Sequence, residues 1–454
     1  MQNAAGSSKM TTPMPSATYH FPAGFLWGAA TAAYQVEGSN TNSNWSDWEN
    51  QSGRIQNGDK AGLAADWWGG RWKEDFNRAA DTGQNAHRMS IEWSRIQPTP
   101  GHWSEDVLDY YRQMVRGLVE RGMTPMLTLH HFSEPLWLAE KGGWENPDTP
   151  RLFAAFTRKV VEALRDYVTY WVPINEPNTY VTCAYLEGVF PPGKKDIGAA
   201  FAVSANLLRG HAAAYQVIHS LQKEARVGSC TNYRSFKAKR PWLPLDSLVA
   251  NFLAANFNDS FIRTLVNGRF SYVGKRTRIP EAAKTQDFIG LNYYTRDLVS
   301  FNFSSADFFS QRTFPPGAPL SPTGFLAHVP EGLYEAIDWA RRFNLPVLIT
   351  ENGVEDSEDH LRPRYLAEHL HQVWRTVNFN WPVKGYFHWT LVDNFEWERG
   401  WTQRFGLWGL DLPTQKRIRR PSVDLYAAIC KENGIASSAV EKYAPESLPL
   451  LFPG

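Results

Sequence analysis

Residues 346–353 read Pro-Val-Leu-Ile-Thr-Glu-Asn-Gly, a run of β-forming residues that ends in a carboxylate. An apolar run of this length without alternation is typical of a strand that is covered on both faces, as in a parallel α/β sheet. Such sheets carry their chemistry at the carboxyl ends of their strands. The stretch therefore predicts a buried strand that delivers Glu351 to its exit. Asn-Gly is also common turn chemistry, so a strand followed by a polar turn stays open from these residues alone.

A second stretch of the same kind, residues 170–177, reads Tyr-Trp-Val-Pro-Ile-Asn-Glu-Pro and presents Glu176 after its apolar residues. Two strands with the same ending suggest a carboxylate pair. Strand-like segments alternate with helical segments along the whole chain. The predicted strands are 25–38 (opening into a polar loop), 85–93, 123–131, 168–176, 226–232, 287–294, 346–353 and 383–390. The predicted helices are 70–82, 105–121, 150–167, 197–224, 246–267, 331–343 and 359–378.

Strict alternation with eight strands predicts an α/β fold, a single (β/α)8 TIM barrel with its active site at the C-terminal ends of the strands. A doubly wound sheet is the alternative, but no glycine fingerprint or phosphate-binding loop follows any strand. We expect one barrel domain over residues 20–454 and a flexible N-terminal tail over residues 1–19, because the tail is small, polar and interrupted by Pro. It also lacks the apolar core of a signal peptide.

Composition excludes some classes of partner. The formal net charge of +1 gives no general attraction to nucleic acid or to an anionic membrane. Cys183, Cys230 and Cys430 lie far apart without metal-ligand spacing, so neither a zinc site nor a disulfide framework is indicated, and we expect a reducing, cytoplasmic location. The 19 Trp residues suit either sugar-stacking surfaces or a large core. The basic segment 416–420 reads as a solvated loop, and nothing indicates an oligomeric state.

In a barrel, the polar residues at the strand ends face a common pocket. These residues are Gln35, Arg88, His131, Asn175, Glu176, Asn232, Asn292, Tyr294, Glu351 and Trp389. Hydrolysis of a glycosidic bond needs one acid to protonate the departing oxygen and one carboxylate at the anomeric carbon, among groups that bind hydroxyls. The ring supplies both carboxylates. Metal hydrolysis is disfavoured because His130 and His131 are adjacent on one strand and point in opposite directions.

Five motifs in this order resemble those of the family 1 glycoside hydrolases, the retaining β-glucosidase and β-galactosidase group. They are FLWGAATAAYQVEG at 25–38, INEP at 174–177, DFIGLNYY at 287–294, ITENGV at 349–354 and HWTLVDNFEW at 388–397. The resemblance extends from about residue 20 to about residue 425 and implies a (β/α)8 barrel without cofactor or metal. It also implies a small-molecule β-glycoside or oligosaccharide as substrate.

Site residues follow from the resemblance position by position. Glu351 matches the nucleophile that forms a covalent glycosyl-enzyme, and Glu176 matches the acid/base. Arg88 and Tyr294 match residues that contact the nucleophile, and Asn292 matches a further supporting position. The remaining matches are to sugar-binding positions: Gln35, His131, Asn175, Glu396, Trp397 and, as the aromatic floor, Trp389.

Some positions depart from the family pattern. Phe132 stands where Trp is usual, which removes an indole N–H from the sugar site. Pro173 and Ile174 stand before Asn-Glu-Pro in place of Thr and an apolar residue, where we expect a local backbone effect only. Residues 232–246 do not match, which leaves the aglycone preference open.

The resemblance implies exo-acting, double-displacement hydrolysis of free β-D-glucosides, and also of β-galactosides and β-fucosides. A carboxylate at Glu396 would repel a 6-phosphate on the sugar. Two alternatives remain: a transglycosylase that uses the same intermediate, and a non-catalytic barrel that only binds sugar. The second has no use for a buried carboxylate pair, which costs stability.

Overall fold

The computed structural model describes residues 17–453. Within them, eight parallel strands close a barrel, each pairing with the next and the last with the first. The strands are β1 (Leu26–Ala30), β2 (Ala86–Ser90), β3 (Thr124–His130), β4 (Tyr170–Ile174), β5 (Arg226–Asn232), β6 (Phe288–Asn292), β7 (Val347–Asn352) and β8 (Val383–Trp389). The predicted (β/α)8 barrel is confirmed.

A helix follows each strand and covers the outside of the barrel. These helices are α1 (Trp72–Asp81), α2 (Glu105–Val119), α3 (Thr149–Leu164), α4 (Ile197–Leu221), α5 (Ser260–Asn267), α6 (Glu331–Arg341), α7 (Arg362–Asn378) and α8 (Pro421–Glu432). Further helices lie in the connections and after α8: Ala33–Glu37, Asn44–Asn50, Trp93–Ile96, Leu136–Glu140, Pro177–Val181, Pro244–Ala254, Ser437–Tyr443 and Leu448–Leu451.

Additional strands pair outside the barrel. Thr18–His20 pairs with Gly434–Ala436, Arg269–Tyr272 with Lys275–Arg278, and Trp408–Leu410 with Arg417–Arg419. Ser235–Ala238, Arg296–Phe301 and Ser310–Thr313 form a three-stranded sheet with Arg296–Phe301 in the centre.

Local sequence explains the main elements. All six residues of β7 are buried, because the barrel interior covers one face and the helices cover the other. Helix α2 begins where the Ser104 side chain accepts a hydrogen bond from the N–H of Val107, which caps the first turn. Leu108 and Leu118 on its inner face are buried. The apolar period of the sequence thus fixes both the strand and the helix.

Two expectations about the ends of the chain need correction. Residues 1–16 of the predicted tail lie outside the described residues, but Thr18 and Tyr19 form a strand with Ala436 and Ile435. Segment 416–420 is not a solvated loop: Arg417 is buried and paired with Asp75 on α1 at 2.7 Å. In both cases the partner is distant in the chain, so local composition does not indicate it.

Within residues 17–453, no helix is both long enough and apolar enough to cross a membrane. The three cysteines are free thiols, and Cys230 and Cys430 are buried.

Candidate active site

The two predicted catalytic carboxylates lie at the carboxyl ends of strands β4 and β7. Glu351 is the fifth residue of β7, whereas Glu176 comes two residues after β4. Glu176 has a left-handed backbone with φ of 38°, and its N–H donates to the carbonyl of Cys230 on β5. Both side chains are buried. The barrel therefore brings together two acids that are 175 residues apart in the sequence.

Glu351 is surrounded by donors that stabilise its negative charge. Nη1 of Arg88, from β2, lies 2.5 Å from Oε1 of Glu351. The hydroxyl of Tyr294, just after β6, donates to Oε2 at 2.6 Å. Burial, and next the charge of Glu351, raise the pKa of Tyr294 well above its ordinary value, so the phenol keeps its proton. A cation and a neutral O–H together hold this carboxylate in place.

Two amides donate hydrogen bonds to Glu176. Nδ2 of Asn292 donates to Oε1 at 2.7 Å, and Nδ2 of Asn232 donates to Oε2 at 3.3 Å. Burial, and next the negative charge of Glu351, raise the pKa of Glu176 to about 7, against the opposite effect of these hydrogen bonds. Glu176 can therefore hold a proton near neutral pH while its partner carries a charge.

Asn175 links the two halves of the site. Its Oδ1 accepts from Nη2 of Arg88 at 2.5 Å, and its Nδ2 lies 2.9 Å from Nε2 of His131. Burial, and next the charge of Arg88, place the pKa of His131 well below its usual value, so this imidazole is neutral and Nε2 accepts. Thr350 donates through its hydroxyl to Oδ1 of Asn292 at 2.6 Å, which fixes the amide orientation. Sequence reasoning missed this threonine.

A second group of polar side chains lies beside the carboxylates. Nε2 of Gln35 donates to Oε2 of Glu396 at 3.1 Å and to the carbonyl of Phe395 at 2.7 Å. Its Oε1 is buried and has no hydrogen-bond partner among residues 17–453. Burial, and next the charge of Glu398, raise the pKa of Glu396 well above its ordinary value. The group thus presents an acceptor and a carboxyl group to a polyhydroxylated ligand.

Aromatic rings close this side of the pocket. The rings of Trp389 and Trp397 each lie 5.9 Å from the His131 ring, tilted by less than 30°. The Phe132 ring stands edge-on to Trp397 at 5.2 Å. Flat apolar faces beside hydroxyl-binding groups are suited to the C–H face of a sugar ring.

The predicted residues divide into those that line the cavity and those behind it. Lining residues are His131, Asn175, Glu176, Asn232, Tyr294, Glu351, Trp389, Glu396 and Trp397. Gln35, Arg88 and Asn292 contact these residues by hydrogen bonds. Within residues 17–453, His, Cys, Asp and Glu side chains form no cluster of three or more suited to a metal ion.

The model of glycosyl hydrolase family 1 matches residues 17–435. The chain belongs to glycosyl hydrolase family 1. The resemblance inferred from the five motifs is confirmed.

Proteins of similar sequence and structure support the assignment to this glycosidase family. β-Glucosidase A of Thermotoga maritima is 35% identical, covering 91% of this chain and 98% of the relative. A β-galactosidase of Pyrococcus woesei is 30% identical, covering 93% of this chain and 99% of the relative. The solved structure of the β-glucosidase from Thermotoga maritima in complex with glucoimidazole has a TM-score of 0.86 at 34% identity, covering 91% of this chain and 99% of that chain.

The outer wall of this family 1 pocket was not predicted from the sequence. It consists of Thr179, Cys183, Phe190, Arg234, Thr295, Phe325, Leu326, Glu398, Arg399 and Phe405. Most of these residues lie in long connections after the strands, and no strand pattern marks their positions. One signal was available for Arg234, because it lies in the segment 232–246 that departs from the family motifs.

Proposed function

We propose that this family 1 enzyme is a retaining, exo-acting β-glycosidase that hydrolyses β-D-glucosides, and also β-galactosides and β-fucosides. The named activities of its relatives, β-glucosidase and β-galactosidase, support the sugar class. Family 1 chemistry proceeds by double displacement, which needs two carboxyl groups about 5 Å apart.

Glu351 attacks the anomeric carbon, and Glu176 protonates the departing oxygen. The observation that carries this assignment is the contrast in their surroundings. Glu351 has a guanidinium within hydrogen-bonding distance and a phenol O–H, whereas Glu176 has two amides and a pKa of about 7. A group that titrates near neutral pH suits a proton donor, and a charged group with fixed partners suits a nucleophile.

The same contrast explains how Glu176 changes its role. The negative charge of Glu351 is one of the causes that raise the pKa of Glu176. When Glu351 becomes a neutral glycosyl ester, that charge disappears and the pKa of Glu176 falls. Glu176 is then a carboxylate, which accepts a proton from the water that attacks the ester.

The sugar binds through the polar and aromatic residues around these acids. Asn175 binds the 2-hydroxyl, a contact that strengthens in the transition state, and its orientation is fixed by Arg88 and His131. Gln35, His131, Glu396 and Trp397 bind the other hydroxyls, with Trp389 beneath the ring. A 6-phosphate is disfavoured, because Glu396 makes no ion pair among the described residues and the nearby Arg399 pairs with Glu398, so no cation is placed to bind a phosphate there.

Mass spectrometry tests the nucleophile directly. After incubation with 2,4-dinitrophenyl 2-deoxy-2-fluoro-β-D-glucoside, we expect one sugar adduct on the peptide that contains Glu351. The fluorine slows breakdown of the intermediate, and the activated leaving group still permits its formation. The Glu351→Gln variant is the matched control and should carry no adduct.

Product analysis separates hydrolysis from transglycosylation. At high concentrations of an alcohol acceptor, a hydrolase releases mainly free glucose, whereas a transglycosylase releases mainly the alkyl glucoside. An adduct on another residue, or turnover without inhibition by the fluorinated sugar, would contradict the proposed nucleophile.

A further inference from the structure

A ridge of exposed apolar side chains stands beside the active-site end of the barrel. It comprises Trp242, Leu245, Leu248, Phe303 and Phe309, and we call it the apolar ridge. Phe303 is 80% exposed, Trp242 is 74% exposed and Leu248 is 65% exposed. At these exposures the ridge presents on the order of 500 Å² of apolar surface, the size of the largest patch on a typical monomer, which is often functional.

The helix Pro244–Ala254 builds one half of the ridge. Asp246, Val249 and Ala250 are buried on its inner face, which packs on the strands Ser235–Ala238 and Arg296–Phe301. Leu245 and Leu248 lie on its outer face and are exposed, because a residue three positions along a helix returns to the same side.

The turn after strand Arg296–Phe301 builds the other half. The ring of Phe303 lies 6.1 Å from that of Phe309. The neighbouring Phe308 contacts Phe252 of the helix at 5.6 Å, which joins the two halves. The N–H of Phe301 donates to the buried carboxylate of Asp246 at 2.8 Å, so the connection is rigid.

The ridge and the catalytic pocket share their supporting strands. Arg234 and Thr295 line the pocket, and the strands Ser235–Ala238 and Arg296–Phe301 begin at the next residue. Phe301 comes six positions after Thr295, which places the end of this strand at most about 20 Å from the pocket wall at a strand rise of about 3.3 Å per residue. Molecules of a partner surface that binds to the ridge therefore lie close enough to enter the active site.

The charges beside the ridge favour a negatively charged surface over a second copy of this chain. Lys237, Lys239 and Arg240 precede Trp242 directly. Lys237 pairs with Glu335, and Arg240 pairs with Asp246. Lys239 is exposed and has no acidic partner within 4 Å among the described residues. A two-fold dimer through the ridge would bring the cations of both copies together at one interface.

We propose that the apolar ridge docks on an anionic lipid bilayer and presents the active site to β-glycosides whose aglycone is a lipid. Trp, Phe and Leu enter the interface between headgroups and acyl chains, and adjacent Lys and Arg side chains attract anionic headgroups. The formal net charge of +1 provides no general attraction, so the contact is confined to this part of the surface. The substrate class rests on the proposed glycosidase activity, whereas the docking surface does not.

Vesicle flotation tests the docking surface without reference to activity. We expect the wild-type chain to float with vesicles of phosphatidylcholine and phosphatidylglycerol, and to float less with phosphatidylcholine alone. Trp242→Ser combined with Phe303→Ser should weaken the partition by at least about tenfold. Lys239→Gln should weaken it only on the anionic vesicles.

A control double variant removes two other exposed apolar side chains that lie outside the ridge. Phe379 is 58% exposed and Leu450 is 61% exposed. Phe379 follows α7 and precedes β8, so it lies at the opposite end of the barrel from the pocket. Phe379→Ser combined with Leu450→Ser should float like the wild type. No flotation of the wild type, or equal loss in both double variants, would overturn the proposal. So would a wild-type dimer that separates only when Trp242 and Phe303 are replaced.

Turnover measurements test the substrate class. With octadecyl β-D-glucoside in the anionic vesicles, kcat/KM should fall at least about tenfold in the Trp242→Ser, Phe303→Ser variant, while kcat/KM for soluble 4-nitrophenyl β-D-glucoside stays unchanged. An equal kcat/KM for the embedded glucoside in both enzymes would overturn the lipid aglycone. If the wild-type enzyme turns over neither substrate, the proposed function is contradicted. Vesicle flotation would still decide the docking surface.

Discussion

At the scale of single residues, the site depends on two glutamates in different electrostatic surroundings. Glu351 has a cation and a phenol O–H as partners, whereas Glu176 accepts hydrogen bonds from two amides. Both are buried, so each unbalanced charge acts strongly on its neighbour. The division of roles therefore comes from neighbouring residues that are far apart in the sequence, and point substitutions can test it.

Replacing the proton donor should affect substrates according to their leaving group. In Glu176→Gln the carboxamide cannot protonate an alkoxide, so we expect kcat/KM for an alkyl β-glucoside to fall by about 10²–10⁴-fold. For 2,4-dinitrophenyl β-glucoside the loss should be much smaller, because that leaving group departs without a proton. In the wild type, kcat/KM for the alkyl glucoside should fall as pH rises through about 7, the pKa of Glu176. Equal losses on both substrates would contradict the assignment.

Tyr293 is a matched control for Tyr294, the phenol beside Glu351, because the two are adjacent in the sequence. Tyr294 donates to Glu351 at 2.6 Å, whereas Tyr293 donates to the carbonyl of Val329 at 2.7 Å, away from the pocket. A hydrogen bond to a charged group contributes about 1.5–3 kcal/mol. Tyr294→Phe should therefore lower kcat/KM by about 10–100-fold, and Tyr293→Phe should lower the free energy of unfolding with kcat/KM unchanged. Steady-state kinetics and urea unfolding of both variants check this, and reversed effects would refute it.

At the scale of elements, the strand Arg417–Arg419 is fastened to α1 by one buried ion pair. The side chains of Arg417 and Asp75 are 2% and 1% exposed, and Trp67 also donates to Asp75 at 2.8 Å. Arg419, two residues along the same strand, pairs with Asp424 at the surface. The same residue type on one strand thus makes a buried and an exposed ion pair.

Truncation of the two arginines should give different losses of stability. Arg417→Met leaves buried Asp75 with Arg78, at 2.8 Å, as its remaining cation, so we expect the free energy of unfolding to fall by about 1–3 kcal/mol. Arg419→Met should change it by less than about 1 kcal/mol. Urea unfolding followed by Trp fluorescence measures both. A loss below about 1 kcal/mol in Arg417→Met would show that the pair does not hold the strand to α1.

At the scale of the whole molecule, burial shifts two groups of titrating side chains. Burial raises the pKa of Glu37 and Glu176 to about 7 and that of Glu134 to about 8. A carboxyl group with a raised pKa binds its proton more tightly in the folded state, so its contribution to stability is lost as pH rises through that pKa.

The second group consists of buried histidines. Burial lowers the pKa of His87, His130 and His388 to about 3. In the unfolded chain these side chains take up protons below about pH 6.5. Their contribution to stability is therefore present above pH 6.5 and is lost as pH falls toward 3.

Together, the two groups predict that the free energy of unfolding falls as pH drops below 6.5 toward 3 and also falls as pH rises toward 8. From pH 6.5 to 8 the histidines no longer contribute a slope, so the free energy of unfolding should fall as the buried carboxyl groups ionise. Glu134→Gln should flatten this fall between pH 7 and 8, while Glu140→Gln, at an exposed position, should leave it unchanged. Urea unfolding at a series of pH values measures the slopes. A rising slope between pH 7 and 8 would contradict the prediction.

The sequence alone determined the barrel, which the structure confirms, and it predicted eleven site residues, because both rest on local patterns and short motifs. An apolar run ending in Asn-Glu or Thr-Glu marks a buried strand and its exit, and strict alternation with helices leaves few architectures. The roles of those residues stay proposals. Their motifs indicate them, and the pocket brings Glu176, Glu351 and their partners together.

The tertiary structure alone decided the contacts between segments that are distant in the chain. Thr350 orients Asn292, Arg417 is buried against Asp75, and Phe325 joins the outer wall of the pocket. The apolar ridge likewise forms only where a helix and a turn meet, through Phe252 and Phe308, which are 56 positions apart in the sequence. Each of these features depends on burial and on pairing across the fold, and a local pattern of residues carries neither.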